Sequence, residues 1–131
     1  MAGRHLPPDP EAGDPNTIGG YMAVHARPAA FEGRDGLSYS VSIEVDATGD
    51  QATPWGAYFL FLRWRRMGTQ GIDGHLESEF LETGSAEGTV RAALSAWSLA
   101  GVKRVLDDCI QAASADTPTR RWWDVMREDT P

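Results

Sequence analysis

The stretch from residue 56 to residue 66, Gly-Ala-Tyr-Phe-Leu-Phe-Leu-Arg-Trp-Arg-Arg, constrains the fold more than any other part of the chain. Its side chains favour β-structure, and bulky apolar residues occupy both alternating sides of the run. A strand that is buried on both faces loses the simple apolar–polar alternation of a half-buried strand. We therefore predict that this run is the central strand of a sheet.

Strands that alternate apolar and polar residues are predicted before and after this central strand. Residues 38–46 alternate completely, and their apolar set is Tyr39, Val41, Ile43 and Val45. Residues 73–82 have Leu76 and Phe80 on one parity and carry, on the other, His75, Glu77 and Glu79. Because successive side chains of a strand point to opposite faces, each segment predicts a strand with one buried face. Residues 21–25 are predicted to form a further short strand.

Two helices are predicted after the sheet. Ser85 is the predicted N-cap of the first, whose apolar residues recur at helical spacing: Val90, Ala93, Leu94 and Trp97. Ser98 is the predicted cap of the second, whose apolar residues are Leu99, Val102, Val105, Leu106, Cys109 and Ile110. We expect a bend between them, because Gly88 and Gly101 disfavour one unbroken helix. The chain is therefore assigned to the α+β class: an antiparallel β-meander of three to four strands followed by two α-helices packed on one sheet face.

The length predicts one folded domain between two segments of different character. The chain has 131 residues, of which 41% are hydrophobic, and this is enough for a single core. Residues 1–20 are rich in proline and glycine and are predicted to be a flexible leader. Residues 21–113 are predicted to form a single α+β domain. Residues 114–131 are predicted to be a C-terminal tail, which starts with a linker over residues 114–120 and docks through Trp122 and Trp123.

Composition and charge limit the compartment and the partners. No stretch approaches the roughly 20 apolar residues of a membrane span, and the first residues lack the apolar core of a secretory signal. The single cysteine, Cys109, excludes an intramolecular disulfide framework. These features favour the cytoplasm of a prokaryote. The net charge of −7 disfavours general binding to nucleic acid or to anionic membranes.

The register of the strands decides which side chains the helices cover. We place the even-numbered residues of the central strand on the helix side, because the resulting face is uninterrupted and apolar: Tyr58, Leu60, Leu62 and Trp64. The opposite choice is expected to bury Glu77 and Glu79 as unpaired charges. The remaining face then carries a predicted interaction surface that consists of Phe59, Phe61, Arg63, Arg65, Ser40 and Ser42.

This predicted face favours a small interaction module that forms a homodimer. An uncovered face with large aromatic residues commonly marks an interaction site. In a two-fold contact the arginine pair of one subunit meets the glutamate pair of the other. No catalytic pattern such as Ser-His-Asp or HExxH is present, so the sequence favours a non-enzymatic role, and no cofactor is expected.

Two other functions use residues of the same face. His75, Glu77 and Glu79, with Arg63, are the candidate residues of a small-molecule or metal-dependent site, since imidazole and carboxylates are ligands for zinc or manganese. The simpler interpretation is that the carboxylates pair with Arg63 and Arg65 across strands. Single-stranded nucleic acid is the other candidate, because aromatic and basic side chains on a sheet stack bases, although the adjacent carboxylates repel phosphate.

Overall fold

The structure, a computed structural model, describes residue 11, residues 13–64 and residues 72–129, with side chains as far as residue 114. Its elements are, in chain order, α1 (Ile18–His25), β1 (Ala30–Glu32), β2 (Ser38–Ala47), β3 (Trp55–Trp64), β4 (Ile72–Glu77), β5 (Glu82–Gly84), α2 (Glu87–Ser95) and α3 (Leu99–Asp129). The strands β1, β2, β3 and β4 pair in this order, all antiparallel, and β5 pairs with the first residues of β3. The predicted α+β class and the meander followed by two helices are confirmed.

The two helices after the sheet are separated at the predicted bend. α2 ends at Ser95, and α3 begins at Leu99. Ser98 caps α3 as predicted, since its Oγ accepts the backbone N–H of the third helical residue at 3.0 Å. At the start of α2 the N-cap is Ala86, whose side chain makes no cap hydrogen bond, and not the predicted Ser85.

The C-terminal segment differs from its prediction. α3 continues to Asp129, so the linker predicted over residues 114–120 is wrong. Three alanines between residues 112 and 115 favour continuation of the helix, because alanine has the highest helix propensity. Docking through Trp122 and Trp123 concerns side chains outside the described part of the structure and stays a prediction. Neither α3 nor any other described helix is long and apolar enough to cross a membrane.

The N-terminal element is a helix and not the strand predicted over residues 21–25. α1 begins at Ile18, inside the predicted leader, and Thr17 caps it by accepting the N–H of Gly20 on its Oγ1 at 3.0 Å. Ile18 is fully buried, and its N–H donates to the carbonyl oxygen of Trp97 at 2.8 Å. These tertiary contacts outweigh the low helix propensity of the glycines in this segment. The folded core therefore extends into the predicted leader.

The core lies between one face of the sheet and the three helices. Its largest fully buried side chains from the sheet are Tyr39, Val41, Phe59 and Phe61. Those from the helices are Ile18, Val90, Leu94, Val102 and Leu106. Each such side chain stabilises the fold by about 1.5–3 kcal/mol before conformational entropy is counted. All three helices therefore contribute to covering the same face of the sheet.

Candidate functional site

The register between β2 and β3 places Phe59 and Phe61 in the core. Phe61 is the cross-strand partner of Val41, and Phe59 is the partner of Ile43, so these side chains share one face. Both phenylalanines are 0% exposed. The prediction that they belong to an interaction surface is therefore wrong. The base-stacking platform that depended on them is also wrong, because neither ring is accessible.

The other parity of β3 projects from the face of the sheet that the helices do not cover, which we call the open face. These β3 residues, predicted for the core, are Tyr58, Leu60, Leu62 and Trp64. Their cross-strand partners on β2 and β4 include Ser40, Ser42, His75 and Glu77. The two serines and the His–Glu pair therefore lie on the uncovered face, as predicted, whereas their role in an interaction stays a prediction.

The large apolar side chains that remain exposed are gathered on the open face. Trp64 is 41% exposed, Ile72 is 44% exposed and Phe80 is 40% exposed, and no other large apolar side chain is exposed among those that the structure describes as far as residue 114. Ile72 is the cross-strand partner of Trp64. With the half-buried Leu60 and Leu62 they form an apolar stripe along β3, of the kind that marks interaction sites.

A bulge between β4 and β5 carries Phe80 to the open face. The pairing passes from Leu60–Glu77 to Ala57–Glu82, so the β4–β5 side has two residues more than β3 over this interval. Extra residues bend a strand and re-aim its side chains. The prediction that Phe80 is a core residue is therefore wrong.

Hydrogen bonds and close packing hold the bulge in place. Ser78 Oγ accepts the N–H of Phe59 at 3.0 Å, a donor that the bulge displaces from the regular ladder. The ring of Phe80 meets the ring of Tyr58 edge-on, with 5.8 Å between the ring centroids. Gly56 leaves room for this ring, because a Cβ there would lie 2.6 Å from the Cγ of Phe80.

The open face is acidic at the Tyr58 end of the stripe. The Tyr58 hydroxyl donates to Asp46 Oδ2 at 3.1 Å. Burial, then this hydrogen bond and the charges of Asp46, Glu77 and Glu44, raise the pKa of Tyr58. Arg63 is the only lysine or arginine in the described strands, and its parity places it with the core-facing residues. The carboxylates at this end therefore meet no cation of the described sheet on their own face.

Arg63 was predicted for the interaction surface. It instead forms an ion pair with Asp73 at the margin of the helix-covered face of the sheet. It is the cross-strand partner of Tyr39, and its Nε donates to Asp73 Oδ1 at 2.8 Å. The hydrogen bonds to Asp73 and then to Tyr39 raise the pKa of Arg63. The predicted pairing of Arg63 with Glu77 and Glu79 is therefore wrong, because its partner is Asp73. Arg65, the other predicted arginine, lies outside the described residues.

Ionisation of Tyr39 is expected to lower the stability of the fold at alkaline pH. It is 1% exposed, and its hydroxyl donates to Asp35 Oδ2 at 2.7 Å. Burial and then this hydrogen bond raise the pKa of Tyr39 from 10.0 to about 12. Because the folded state holds the phenolic proton more tightly than the unfolded state, this stabilisation is complete below pH 10 and is lost as the pH rises towards 12.

Urea unfolding between pH 10 and pH 12 measures this effect. We expect the free energy of unfolding of the wild type to fall across the interval, and that of Tyr39→Phe to fall less steeply. Tyr21→Phe, which removes a hydroxyl from α1 and keeps Tyr39, is the control and is expected to follow the wild type. Equal slopes for the wild type and Tyr39→Phe would contradict this assignment.

The predicted metal ligands do not converge on one point. His75 Nε2 lies 3.8 Å from Glu77 Oε2, whereas Glu79 lies within the bulge. Across residues 11, 13–64 and 72–114, no three His, Cys, Asp or Glu side chains are close enough together to hold a metal ion. Arg63, the fourth residue of the predicted small-molecule site, lies on the opposite face. Within these described residues the predicted ligands therefore do not form a metal site by themselves.

A groove of about 680 Å³ runs between β4, the bulge and α3. Its apolar lining comes from Leu76, Leu81 and Val105, and its charged lining includes Glu79 and Asp108. No pattern in the sequence pointed to this groove, because it arises where a helix passes an edge strand.

Cys109 contributes a half-buried thiol to the groove. Its Sγ lies 3.8 Å from the carbonyl oxygen of Glu77. Burial, followed by the charges of Asp108 and Glu79, raises the pKa of the thiol. A raised pKa disfavours the thiolate, which is the nucleophilic form, and a thiol is a weak hydrogen-bond donor.

Comparison with known proteins gives no relative. No protein-family model matches the chain, no curated protein matches it in sequence, and no solved structure matches its fold. Functional inference therefore depends on the open face and the groove themselves.

Proposed function

We propose that this protein is a non-enzymatic interaction module that forms a homodimer through its open face. The observation that carries the proposal is the position of Trp64, Ile72 and Phe80, which are exposed and all lie on that face. Trp64 is held in place, since its Nε1 donates to Ser40 Oγ at 3.0 Å. An aromatic residue that is fixed before binding loses little conformational entropy when a partner covers it.

The size of the open face favours a small dimer interface. β3 has 10 residues, so it is about 33 Å long, and four neighbouring strands about 4.8 Å apart span a further ~14 Å. The flat area is therefore roughly 460 Å² on each copy. This lies below the ~800 Å² that each partner contributes to a typical specific interface and within the range of the smaller, weaker ones.

Charge favours an antiparallel arrangement of two copies. A two-fold axis in the plane between the sheets, perpendicular to the strands, reverses the direction of β3 in the second copy. The acidic end near Asp46 and Tyr58 then faces the end of β3 at Trp64 in the partner. This arrangement keeps the acidic ends of the two copies apart. The pairing in the sequence prediction, of Arg63 and Arg65 with Glu77 and Glu79 across a two-fold axis, is not kept, because Arg63 lies on the other face.

Sedimentation equilibrium of the wild type and of Leu62→Glu tests the proposal. We expect the wild type to have twice the mass of one chain at micromolar concentration. Leu62→Glu places a charge in the middle of the apolar stripe and is expected to sediment as a monomer. Ala92→Glu, at an exposed position of α2, is the matched control and is expected to remain dimeric.

A wild type that stays monomeric at micromolar concentration would refute the homodimer. A folded Leu62→Glu protein that remains a dimer would instead refute the assignment of the interface to the open face. Circular dichroism of each variant shows whether it is folded. A cytoplasmic location, which suits a chain with one free thiol, is part of the proposal.

A further inference from the structure

The groove beside β4 lies where the next strand of the sheet would lie. Within the described sheet β4 pairs only with β3, so its other edge has no strand partner. α3 borders this edge and lines the groove with Val105, Cys109 and Ala112. Small and apolar side chains of α3 therefore offer an apolar surface at an unoccupied strand position.

Backbone groups of β4 are directed into this groove. The N–H of Ser78 donates to the carbonyl oxygen of Phe59 in β3 at 3.0 Å. Because successive residues of a strand direct their backbone groups to opposite sides, Glu77 directs its N–H and C=O away from β3, and so does His75. The thiol of Cys109 reaches the Glu77 carbonyl at 3.8 Å and is a weak donor. Among the described residues no strand pairs with this edge, so a segment with stronger donors and acceptors fits it.

The charge of the groove selects the partner. Its lining includes the carboxylates of Glu77, Glu79 and Asp108 and contains no lysine or arginine among the described residues. Its volume of about 680 Å³ lies within the range of about 300–1,000 Å³ typical of ligand sites. An anionic or purely apolar segment would leave these carboxylates without counter-charges.

We infer that this groove binds an extended segment of a partner protein that carries alternating apolar and basic side chains. The segment pairs with β4 through His75 and Glu77, as an added strand of the sheet. Its apolar side chains pack on α3, and its lysine or arginine side chains, which point to the opposite face, lie beside the carboxylate of Glu77. The site uses the edge of the sheet and α3, so it does not depend on the dimer proposed for the open face.

Two fluorescein-labelled hexapeptides with blocked ends test the inference by fluorescence anisotropy. One alternates valine and lysine, and the other alternates valine and glutamate. We expect the lysine peptide to bind in a saturable way and at least about tenfold more tightly, which corresponds to about 1.4 kcal/mol. Glu77→Lys is expected to abolish this preference. Glu87→Lys, an exposed charge reversal on α2, is the control and is expected to keep it.

The mode of binding is tested separately. Ala112 lines the groove from the exposed surface of α3. Ala112→Trp is expected to weaken binding of the lysine peptide at least about tenfold, because the indole ring occupies space that the peptide needs. Amide hydrogen exchange of the wild type with the lysine peptide is expected to show new protection at His75 and Glu77. Equal binding of the two peptides, unchanged binding by a folded Ala112→Trp protein, or absence of protection at these amides would overturn the inference.

Discussion

Replacement of Phe61 by alanine is expected to lower the free energy of unfolding by about 3–5 kcal/mol. Phe61 is 0% exposed and is the cross-strand partner of both Val41 and Leu76. Its ring also contacts Phe59, with 6.0 Å between the ring centroids. Removal of the ring therefore loses apolar burial and leaves a cavity that surrounding side chains fill only in part. The neighbouring Leu62→Ala, on the open face, is expected to lower the free energy of the monomer by only about 1 kcal/mol.

Urea denaturation followed by circular dichroism measures both variants. Because the proposed dimer would add to apparent stability, the comparison is made at several protein concentrations and extrapolated to the monomer. The difference between Phe61→Ala and Leu62→Ala reports which parity of β3 faces the helices. A larger loss for Leu62→Ala than for Phe61→Ala would show that the face assignment of β3 is inverted.

Gly20→Ala is expected to destabilise the protein by about 1–3 kcal/mol, although alanine favours helices. A methyl group at this position of α1 would overlap the carbonyl oxygen of Asp14 and would lie 2.6 Å from the carbonyl carbon and the amide nitrogen of Asp14. The backbone around Asp14 would have to move. That turn accepts hydrogen bonds from Thr17, the N-cap of α1, through the Thr17 N–H at 3.0 Å and Oγ1 at 2.9 Å.

Gly88→Ala is the matched control and is expected to have the opposite sign. Gly88 lies in the first turn of α2, and a Cβ there has no atom within 4 Å. The substitution is therefore expected to stabilise the protein by about 0.5–1 kcal/mol through helix propensity alone. Thermal unfolding of both variants checks the pair. A gain in stability from Gly20→Ala would show that the turn at Asp14 does not pack on α1.

The fold class was predictable because it depends on local patterns. Complete alternation over residues 38–46 indicates a strand with one buried face whatever its neighbours are. Apolar spacing at three and four after residue 86 indicates helices, and Ser98 supplies a local cap between them. Such signals need no knowledge of which strand pairs with which residue.

The face of β3 was not predictable from the same kind of pattern. The odd-numbered and the even-numbered residues of β3 are both bulky and apolar. Burial of Phe59 and Phe61 therefore gains about as much hydrophobic free energy as burial of Leu60 and Leu62. Glu77 does not decide between them, because it lies on the open face in the observed register as well. The register of β3 with β2 and β4 determines which residues of β3 face the helices. A shift of this register by one residue moves every β3 side chain to the other face of the sheet.

The other errors arise from tertiary contacts that no short segment reveals. The segment around Gly19 has weak intrinsic preference for a helix, yet a Cβ there would lie 2.7 Å from the Cβ of Ser95, so glycine permits the close approach of α1 and α2. Phe80 leaves the core because of the bulge that Ser78 supports. Ser40 and Ser42 were placed correctly because the alternation of β2 is unambiguous.

The contacts that hold α1 determine when this helix can fold during synthesis of the chain. The N–H of Ile18 bonds to Trp97, and the N–H of Leu99 bonds to Asn16, so the first helix is fastened to the junction of α2 and α3. Contacts between such distant parts of a chain form slowly and late. A nascent chain that stops before Trp97 already contains all five described strands but has no docking place for α1. We therefore expect Ile18 to lack its contact with Trp97 on the ribosome until the junction of α2 and α3 has emerged.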